Sequence, residues 1–247
     1  MTAKLNATSR AMIQAAQKLA DDVAKLHFSE PVASIYNPLR YAWKPQELYL
    51  RRYASSTKRI IFVGMNPGPF GMAQTGVPFG EVAAVKDFLQ IQAPVLQPPD
   101  PHPKRPIDGF ACTRSEVSGR RVWGAIAQHY GSADSFFTEH YIANYCPLVF
   151  MQASGKNHTP DKLPKAERAT LFAVCDAHLR SVVKTLQAEW VIGIGKFAED
   201  RIRAALDDDS KIRVARVLHP SPASPLANKG WAQAAQKTLI ELGLCKP

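Results

Sequence analysis

The sequence predicts an α/β fold: a single domain with a mainly parallel, four-stranded central sheet flanked by helices. Short runs of β-branched and aromatic residues alternate along the chain with longer segments whose apolar residues recur at helical spacing. Two of the short runs, Ile60–Val63 and Trp190–Ile194, carry no polar residue, which is typical of strands buried on both faces. The length of 247 residues suits one hydrophobic core, so we expect one domain over residues 1–247.

The first predicted element is an amphipathic helix. Apolar residues recur every three or four positions from Met12 to Leu26, and Ser9 before them is a suitable N-cap. This helix belongs to an N-terminal helical extension, residues 1–40. No apolar run in the chain approaches the roughly 18 residues of a membrane span, so we expect a soluble protein with no membrane partner.

Four strands and four further helices are predicted after this extension. The strands are Ile60–Val63, Tyr141–Asn144, Trp190–Ile194 and Ile212–Leu218, and the helices are Glu81–Ile91, Ser118–Tyr130, Pro164–Gln187 and Asn228–Leu242. Six prolines between positions 94 and 106 exclude helix and central strand, so residues 93–108 are predicted to form a Pro-rich surface loop. Ligands of such sheets bind beyond the carboxyl ends of the strands, where Asn66, Asn144, Lys196 and His219 all lie.

The composition makes a nucleic-acid partner a candidate, although charge alone fits a soluble protein that happens to be basic equally well. Lys and Arg number 31 against 21 Asp and Glu, a formal charge of +10, and such an excess attracts phosphate polymers. The four cysteines are spread without C-x-x-C spacing, which indicates reduced thiols rather than a zinc or iron–sulfur site. We therefore predict no metal, no cofactor and an intracellular protein. We also expect a monomer, located in the cytoplasm or at the nucleoid if bacterial and in the nucleus if eukaryotic.

The most distinctive segment is the loop after the first predicted strand. Residues 64–71 contain three glycines and two prolines around one amide side chain, that of Asn66. Such a loop is stiff at its prolines and lets a ligand approach the backbone closely at its glycines. The irregular segment continues to Gly80 and carries Phe79, whose ring can stack on a flat heterocycle.

Five motifs in one order carry a family resemblance. They are Gly64–Val82, Asn144–Leu148, Ser154–Asn157, Gly193–Phe197 and His219–Pro222. Together they closely resemble the single-strand-selective monofunctional uracil-DNA glycosylases of the uracil-DNA glycosylase superfamily, and the likeness extends from about Tyr41 to Leu242. The resemblance implies a base-excision-repair enzyme without lyase activity. It would hydrolyse the N-glycosidic bond of uracil, 5-hydroxymethyluracil, 5-formyluracil and 5-hydroxyuracil in single- and double-stranded DNA.

The resemblance implies two catalytic residues. Asn66 would hold and orient the attacking water, because an amide positions a water but does not take its proton. His219 would donate a ring N–H to O2 of the departing uracil, where negative charge develops. Hydrolysis of this bond requires both tasks, since the transition state combines a cationic sugar with an anionic base.

Four further residues are assigned to the extruded base. Asn144 offers one donor and one acceptor, the complement of N3–H and O4 of uracil, whereas cytosine presents the reverse pattern. Phe79 would stack on the ring. Gly68 would leave room at C5 for hydroxymethyl or formyl groups, and Met65 is assigned to the same substrate-binding loop.

The segment after the catalytic histidine resembles one that enters the duplex and fills the gap left by the base. The residues assigned to DNA binding are Lys196, Ser221, Pro222, Ala223, Leu226 and Lys229. Lys196 begins a helix, a place that suits a DNA phosphate; Arg120, Arg121 and Lys156 are further phosphate candidates. Vertebrate members usually carry arginine where Ala223 stands, so we expect less help with base flipping from duplexes.

Two other functions remain open from the residues alone. The chain could be a glycosylase for deaminated purines such as hypoxanthine or xanthine, although the pyrimidine complement offered by Asn144 argues against it. It could also be a non-catalytic binder of single-stranded DNA, which its charge would allow. A nucleotide-dependent α/β enzyme is disfavoured because Gly193-x-Gly195-Lys196 lacks the third glycine of a dinucleotide fingerprint.

Overall fold

The computed structural model describes residues 5–206 and 211–246. The helices are α1 (Ala7–Val23), α2 (Pro38–Tyr41), α3 (Trp43–Tyr53), α4 (Met72–Thr75), α5 (Val117–Tyr130), α6 (Ala133–Phe137), α7 (Lys165–Leu186), α8 (Lys196–Ala205), α9 (Pro225–Asn228) and α10 (Trp231–Glu241). The strands are β1 (Ser34–Tyr36), β2 (Ile60–Gly64), β3 (His140–Asn144), β4 (Val149–Met151), β5 (Asn157–His158), β6 (Trp190–Ile194) and β7 (Arg213–Val217). None of the helices in the described ranges is both long and apolar enough to cross a membrane.

The central sheet is parallel and has the strand order β3-β2-β6-β7. Its register sets Gly64 opposite Asn144 and Val63 opposite Gly193. All four strands therefore end at one edge of the sheet, and the loops that follow them share one rim. The predicted fold class is confirmed, and the bounds of the four predicted strands differ from the observed ones by at most one residue.

The helix at the N-terminus forms part of the hydrophobic core. Helix α1 packs against α3 and α7 and buries an apolar stripe that includes Met12 and Leu19. It begins earlier than predicted because the N-cap is Asn6, whose Oδ1 accepts a hydrogen bond from the Ser9 backbone N at 2.8 Å, while Ser9 itself is buried. The first four residues of the predicted extension lie outside the described part of the chain.

A second, antiparallel sheet of order β1-β4-β5 was not predicted. The Pro-rich segment 93–108 packs beside it and contains no helix or strand, as expected. The segment is nevertheless more than a surface connection, since Ile107 is buried in a small apolar cluster with Tyr36. The Tyr36 hydroxyl donates to the Arg105 carbonyl oxygen at 2.7 Å and accepts from the His102 backbone N at 2.6 Å.

Two predicted helices differ from the observed elements. The segment predicted as Glu81–Ile91 is helical only over residues 82–88, and Ala84–Phe88 forms a π-helical turn. The helix predicted over Asn228–Leu242 is divided into α9 and α10, because Gly230 adopts a φ of 134° that a helix does not allow.

Candidate active site

The ring and the amide assigned to the base, those of Phe79 and Asn144, meet above a glycine at the carboxyl edge of the sheet. Gly64 is the last residue of β2, and a Cβ atom placed on it would lie 2.5 Å from Oδ1 of Asn144 and 2.7 Å from the Phe79 ring. Only a residue without a side chain fits there. The structure therefore brings Phe79 and Asn144 side by side, although 65 positions separate them in the sequence.

The Phe79 ring is fixed through its own backbone. Phe79 adopts a left-handed φ of 52°, which is uncommon for an aromatic residue. Its carbonyl oxygen accepts hydrogen bonds from the indole Nε1 of Trp123 at 3.1 Å and from the Glu81 backbone N at 2.7 Å. Gly119 allows this approach, since a Cβ atom at that position would overlap the Phe79 carbonyl oxygen. Helix α5 thus holds the ring in place.

Asn144 is the last residue of β3, and its side-chain amide is only weakly engaged. Nδ2 donates to the thioether sulfur of Met72 at 3.2 Å, and sulfur is a weak acceptor. A base carbonyl that reached this position would form the stronger hydrogen bond. The backbone around it is secured by the Tyr145 N–H, which donates to the Gly64 carbonyl oxygen at 2.8 Å.

Asn66 lies in the loop after β2 with one end of its amide already occupied. Its Nδ2 donates to the carbonyl oxygen of Leu148 at 3.0 Å. The preceding residue, Met65, accepts a backbone hydrogen bond from Cys146 at 2.9 Å, which joins this loop to the loop after β3. Because Nδ2 is held, the amide orientation is set, and Oδ1 is the atom that can accept a hydrogen bond from a water.

His219 follows β7 at the same edge of the sheet. Its Nδ1 accepts a hydrogen bond from the Ser221 backbone N at 3.1 Å, so the proton of the neutral ring lies on Nε2. Burial lowers the pKa of His219 below its usual value, which favours that neutral form. Gly195, with a φ of 92°, leaves space beside the ring, as a Cβ atom there would lie 3.0 Å from Cβ of His219. The ring is thus a neutral N–H donor.

The strand order spaces these groups along the rim. Asn144 follows β3, Asn66 follows β2, and His219 follows β7, with β6 between the last two. Two strand spacings separate β2 from β7, about 10 Å. The rim therefore offers a hydrogen-bonding amide at one end, an imidazole N–H at the other and a water-positioning amide between them.

The residues assigned to DNA lie on the loop after His219 and on α8. The side chain of Lys196 is engaged by Asp200 at 2.7 Å in an exposed i,i+4 pair, so a phosphate would compete with that carboxylate. Ser221 Oγ accepts from the Ala223 backbone N at 3.1 Å, which tightens the turn. Pro222, Ala223 and Lys229 are exposed, and Leu226 is a large apolar side chain that is 65% exposed.

Arg121, which the sequence offered as a phosphate contact, instead holds this loop. Its guanidinium donates to the Pro220 carbonyl oxygen at 2.9 Å and to Oδ1 of Asn228 at 2.8 Å. Asn228 in turn donates to the Pro222 carbonyl oxygen at 2.9 Å. The loop that follows the histidine is therefore fixed at both ends by one side chain of α5, a role for which the sequence pattern gives no indication.

Glu116 is a second residue of this region that sequence reasoning missed. It occupies the N-cap position of α5, and its carboxyl group lies against the glycine-rich loop. A Cβ atom on Gly68 would overlap Oε1 of Glu116, and one on Gly71 would overlap Oε2. The space directly in front of Gly68, which the sequence led us to expect open, is thus occupied by a carboxyl group. Among the described residues, no group of three His, Cys, Asp or Glu side chains is placed to hold a metal ion.

Comparison with known proteins assigns the family. The family model of the uracil DNA glycosylase superfamily matches residues 50–240. The single-strand selective monofunctional uracil DNA glycosylase of Bos taurus is 48% identical over 233 residues, which cover 94% of this chain and 86% of that protein. The protein of that name from Rattus norvegicus is 50% identical over 228 residues, 92% of this chain and 82% of that protein.

A solved structure agrees in fold. The crystal structure of wild-type Pedobacter heparinus SMUG2 matches with a TM-score of 0.68 and covers 93% of this chain and 97% of that chain. At 18% identity this likeness shows the fold alone. Because the family model and the relatives both span most of the chain, the chain belongs to the uracil DNA glycosylase superfamily and, within it, to the single-strand selective monofunctional uracil DNA glycosylases.

Proposed function

We propose that this chain removes uracil and C5-modified uracils, namely 5-hydroxymethyluracil, 5-formyluracil and 5-hydroxyuracil, from single- and double-stranded DNA in base-excision repair. The single observation that carries the proposal is the meeting of the Phe79 ring and the Asn144 amide above Gly64. A ring beside an amide with a free acceptor and a weakly held donor suits a planar base with one hydrogen-bonding edge. The protein acts as a monomer on an extruded nucleotide.

The base is recognised by its face and its edge. The Phe79 ring stacks on the pyrimidine, a contact worth about 1 to 3 kcal/mol. Oδ1 of Asn144 accepts a hydrogen bond from N3–H, and Nδ2 donates one to O4. To do so, Nδ2 gives up its hydrogen bond to the sulfur of Met72. Cytosine offers an acceptor and a donor in the opposite places, so the same amide would face two mismatched groups and normal DNA would be spared.

The order of groups along the sheet edge fits the order of atoms around uracil. O4 and N3 face Asn144 at the β3 end, and O2 lies on the far side of N3, toward the β7 end where His219 stands. Nε2–H of His219 donates to O2 and stabilises the negative charge that the base acquires as the bond to deoxyribose breaks. Because Nδ1 is an acceptor from Ser221, this proton is on the correct nitrogen before the substrate arrives.

Water attack depends on positioning. Asn66 is oriented by the Leu148 carbonyl oxygen, and its Oδ1 accepts a hydrogen bond from a water that faces C1′ of the sugar. No carboxylate takes the proton in this loop, so the rate depends on placement of the water and on stabilisation of the leaving base. The product is free base and an intact abasic strand.

DNA outside the base is held by the exposed loop after His219 and by the positive charge of the chain. Leu226 and Ala223 reach into the stack, while Lys196 and Lys229 face phosphates. Ala223 is short, so the loop fills less of the gap left by the base than an arginine would. The preference for single strands in the relatives' names fits a loop with limited capacity to open a duplex.

The test is excision from a panel of single-stranded oligonucleotides that carry uracil, 5-hydroxymethyluracil, 5-formyluracil, 5-hydroxyuracil, thymine, hypoxanthine or xanthine. Alkali then cleaves any abasic site, and mass spectrometry identifies the free base. We expect release of the first four bases and loss of release by several orders of magnitude in Asn66→Ala and His219→Ala. Release of purines alone would favour a purine glycosylase. Binding without any release would favour a non-catalytic single-strand binder.

A further inference from the structure

We propose that Glu116 determines specificity at C5: its carboxyl group accepts a hydrogen bond from the hydroxyl of 5-hydroxymethyluracil and disfavours the methyl group of thymine. This inference rests on the proposed function, because it concerns the same extruded base. It assigns a substrate contact to a residue that lies 50 positions from Asn66 in the sequence.

The position of the carboxyl follows from two glycines. A Cβ atom on Gly68 would overlap Oε1 of Glu116, and a Cβ atom on Gly71 would overlap Oε2. The carboxyl thus occupies the space that side chains of this loop would fill if the glycines were replaced. Glu116 as a whole residue is partly exposed, whereas its carboxyl group is packed against Gly68, Gly71 and Gly119.

The proposed base site puts this carboxyl at the C5 side of the base. Gly68, which that site sets beside C5, faces Oε1, and Gly71, which faces Oε2, directly precedes Met72, whose sulfur contacts the Asn144 amide. In a uracil ring the atom next to C4 on that side is C5. Gly119 lies between this carboxyl and the backbone of the stacking residue, since a Cβ atom on Gly119 would contact both the Phe79 carbonyl oxygen and Oε2 of Glu116.

The carboxyl group interacts favourably with a hydroxymethyl substituent at C5 and unfavourably with a methyl substituent. A hydroxyl donates to either oxygen, whereas a methyl group would displace water from the carboxyl and return no hydrogen bond. Burial and the nearby carboxyl of Glu81 raise the pKa of Glu116 to about 7, so both the acid and the carboxylate are present near neutral pH. Both forms accept from a hydroxyl, and the acid form also donates to a formyl oxygen.

The experiment compares 5-hydroxymethyluracil with 5-ethyluracil, which has nearly the same shape but no donor. Single-turnover excision from single-stranded oligonucleotides gives the ratio of the two rates. We expect the wild-type protein to prefer 5-hydroxymethyluracil by roughly tenfold, the effect of one hydrogen bond to a charged or strongly polar group. Glu116→Met, of similar volume and without a strong acceptor, should reduce the ratio to about twofold and raise excision of thymine relative to uracil.

Two further variants complete the test. Glu116→Gln keeps a carbonyl acceptor and should keep most of the preference. Glu81→Gln is the matched control, because it removes a neighbouring acid that does not contact Gly68, and it should leave the ratio unchanged. An unchanged ratio in Glu116→Met, or equal rates on the two bases by the wild-type protein, would overturn the assignment. The comparison of the two bases by the wild-type protein does not depend on whether any variant folds.

The outcome also separates this inference from the proposed function. If the wild-type protein releases no base from the uracil oligonucleotide, the proposed function is wrong. If it releases uracil efficiently and Glu116→Met keeps the full preference for 5-hydroxymethyluracil, only the role of Glu116 is wrong.

Discussion

Gly64 is the position where one added methyl group should disable the site with little damage elsewhere. Gly64→Ala places a Cβ atom 2.5 Å from Oδ1 of Asn144 and 2.7 Å from the Phe79 ring, against the 3.4 Å or more of an ordinary contact. The Asn144 amide must therefore move by about 0.9 Å and the Phe79 ring by about 0.7 Å, the differences between these distances and 3.4 Å. A displacement of that size at a reacting centre can cost about 100-fold in rate.

Stability should fall much less than activity. Gly64 has no left-handed φ, so alanine is compatible with its backbone, and the cost is that of overpacking, about 1 to 3 kcal/mol. Gly124→Ala is the matched control, because Gly124 lies in helix α5 with nothing within 4 Å of an added Cβ atom. That substitution should raise stability slightly through helix propensity and leave excision unchanged.

The assay is single-turnover release of uracil from a single-stranded oligonucleotide, with thermal unfolding of each variant measured alongside. We expect Gly64→Ala to reduce kcat/KM about 100-fold while the protein remains folded at the assay temperature. Wild-type excision by folded Gly64→Ala would show that Phe79 and Asn144 do not form the base site.

Three further outcomes are expected. Burial lowers the pKa of His219, so the ring stays neutral down to a lower pH than a free imidazole would. We therefore expect kcat/KM for uracil to stay level as the pH falls from 8 to 6.5. An inflection at or above pH 6.5 that is absent in His219→Gln would contradict this. Burial lowers the pKa of His178 to about 4, so as the pH falls the unfolded state binds a proton at this residue before the folded state does. The free energy of unfolding should therefore fall by about 3 kcal/mol from pH 6.5 to pH 4. In His178→Gln, urea unfolding should show that this contribution to the pH dependence of stability is lost. Ala223→Arg should raise excision from duplexes relative to single strands, since position 223 is exposed and has room for the longer side chain; an unchanged ratio would argue against a role for this loop in base extrusion.

The central sheet was predictable because its strands lie in short runs rich in β-branched and aromatic residues that end at a glycine or a polar residue, although β7 also carries Arg213 and Arg216. The second sheet was not, because β5 has two residues and β1 and β4 have three each, too few for a periodic pattern. The pairing of β1 with β4 sets Ser34 opposite Met151, two residues far apart in the sequence, so no local pattern indicates it. The helices between Pro38 and Tyr53 were also missed.

The residues of the site were found through motifs and strand ends, since parallel strands bring Gly64 and Asn144 to one level. The supporting residues were not found, because their positions depend on helix α5 crossing the loop. Glu116 and Arg121 both belong to this helix region and act on loops that are distant in sequence. Local sequence patterns carry no information about such contacts.

The most direct test of the central claim is a structure of this protein bound to an oligonucleotide with uracil on a 2′-fluorinated sugar, which slows cleavage of the glycosidic bond. The account predicts the uracil ring stacked on Phe79, its N3 and O4 within hydrogen-bond distance of the Asn144 amide, and its O2 within that distance of Nε2 of His219. A base that is bound elsewhere, or one whose O2 faces away from His219, would contradict it.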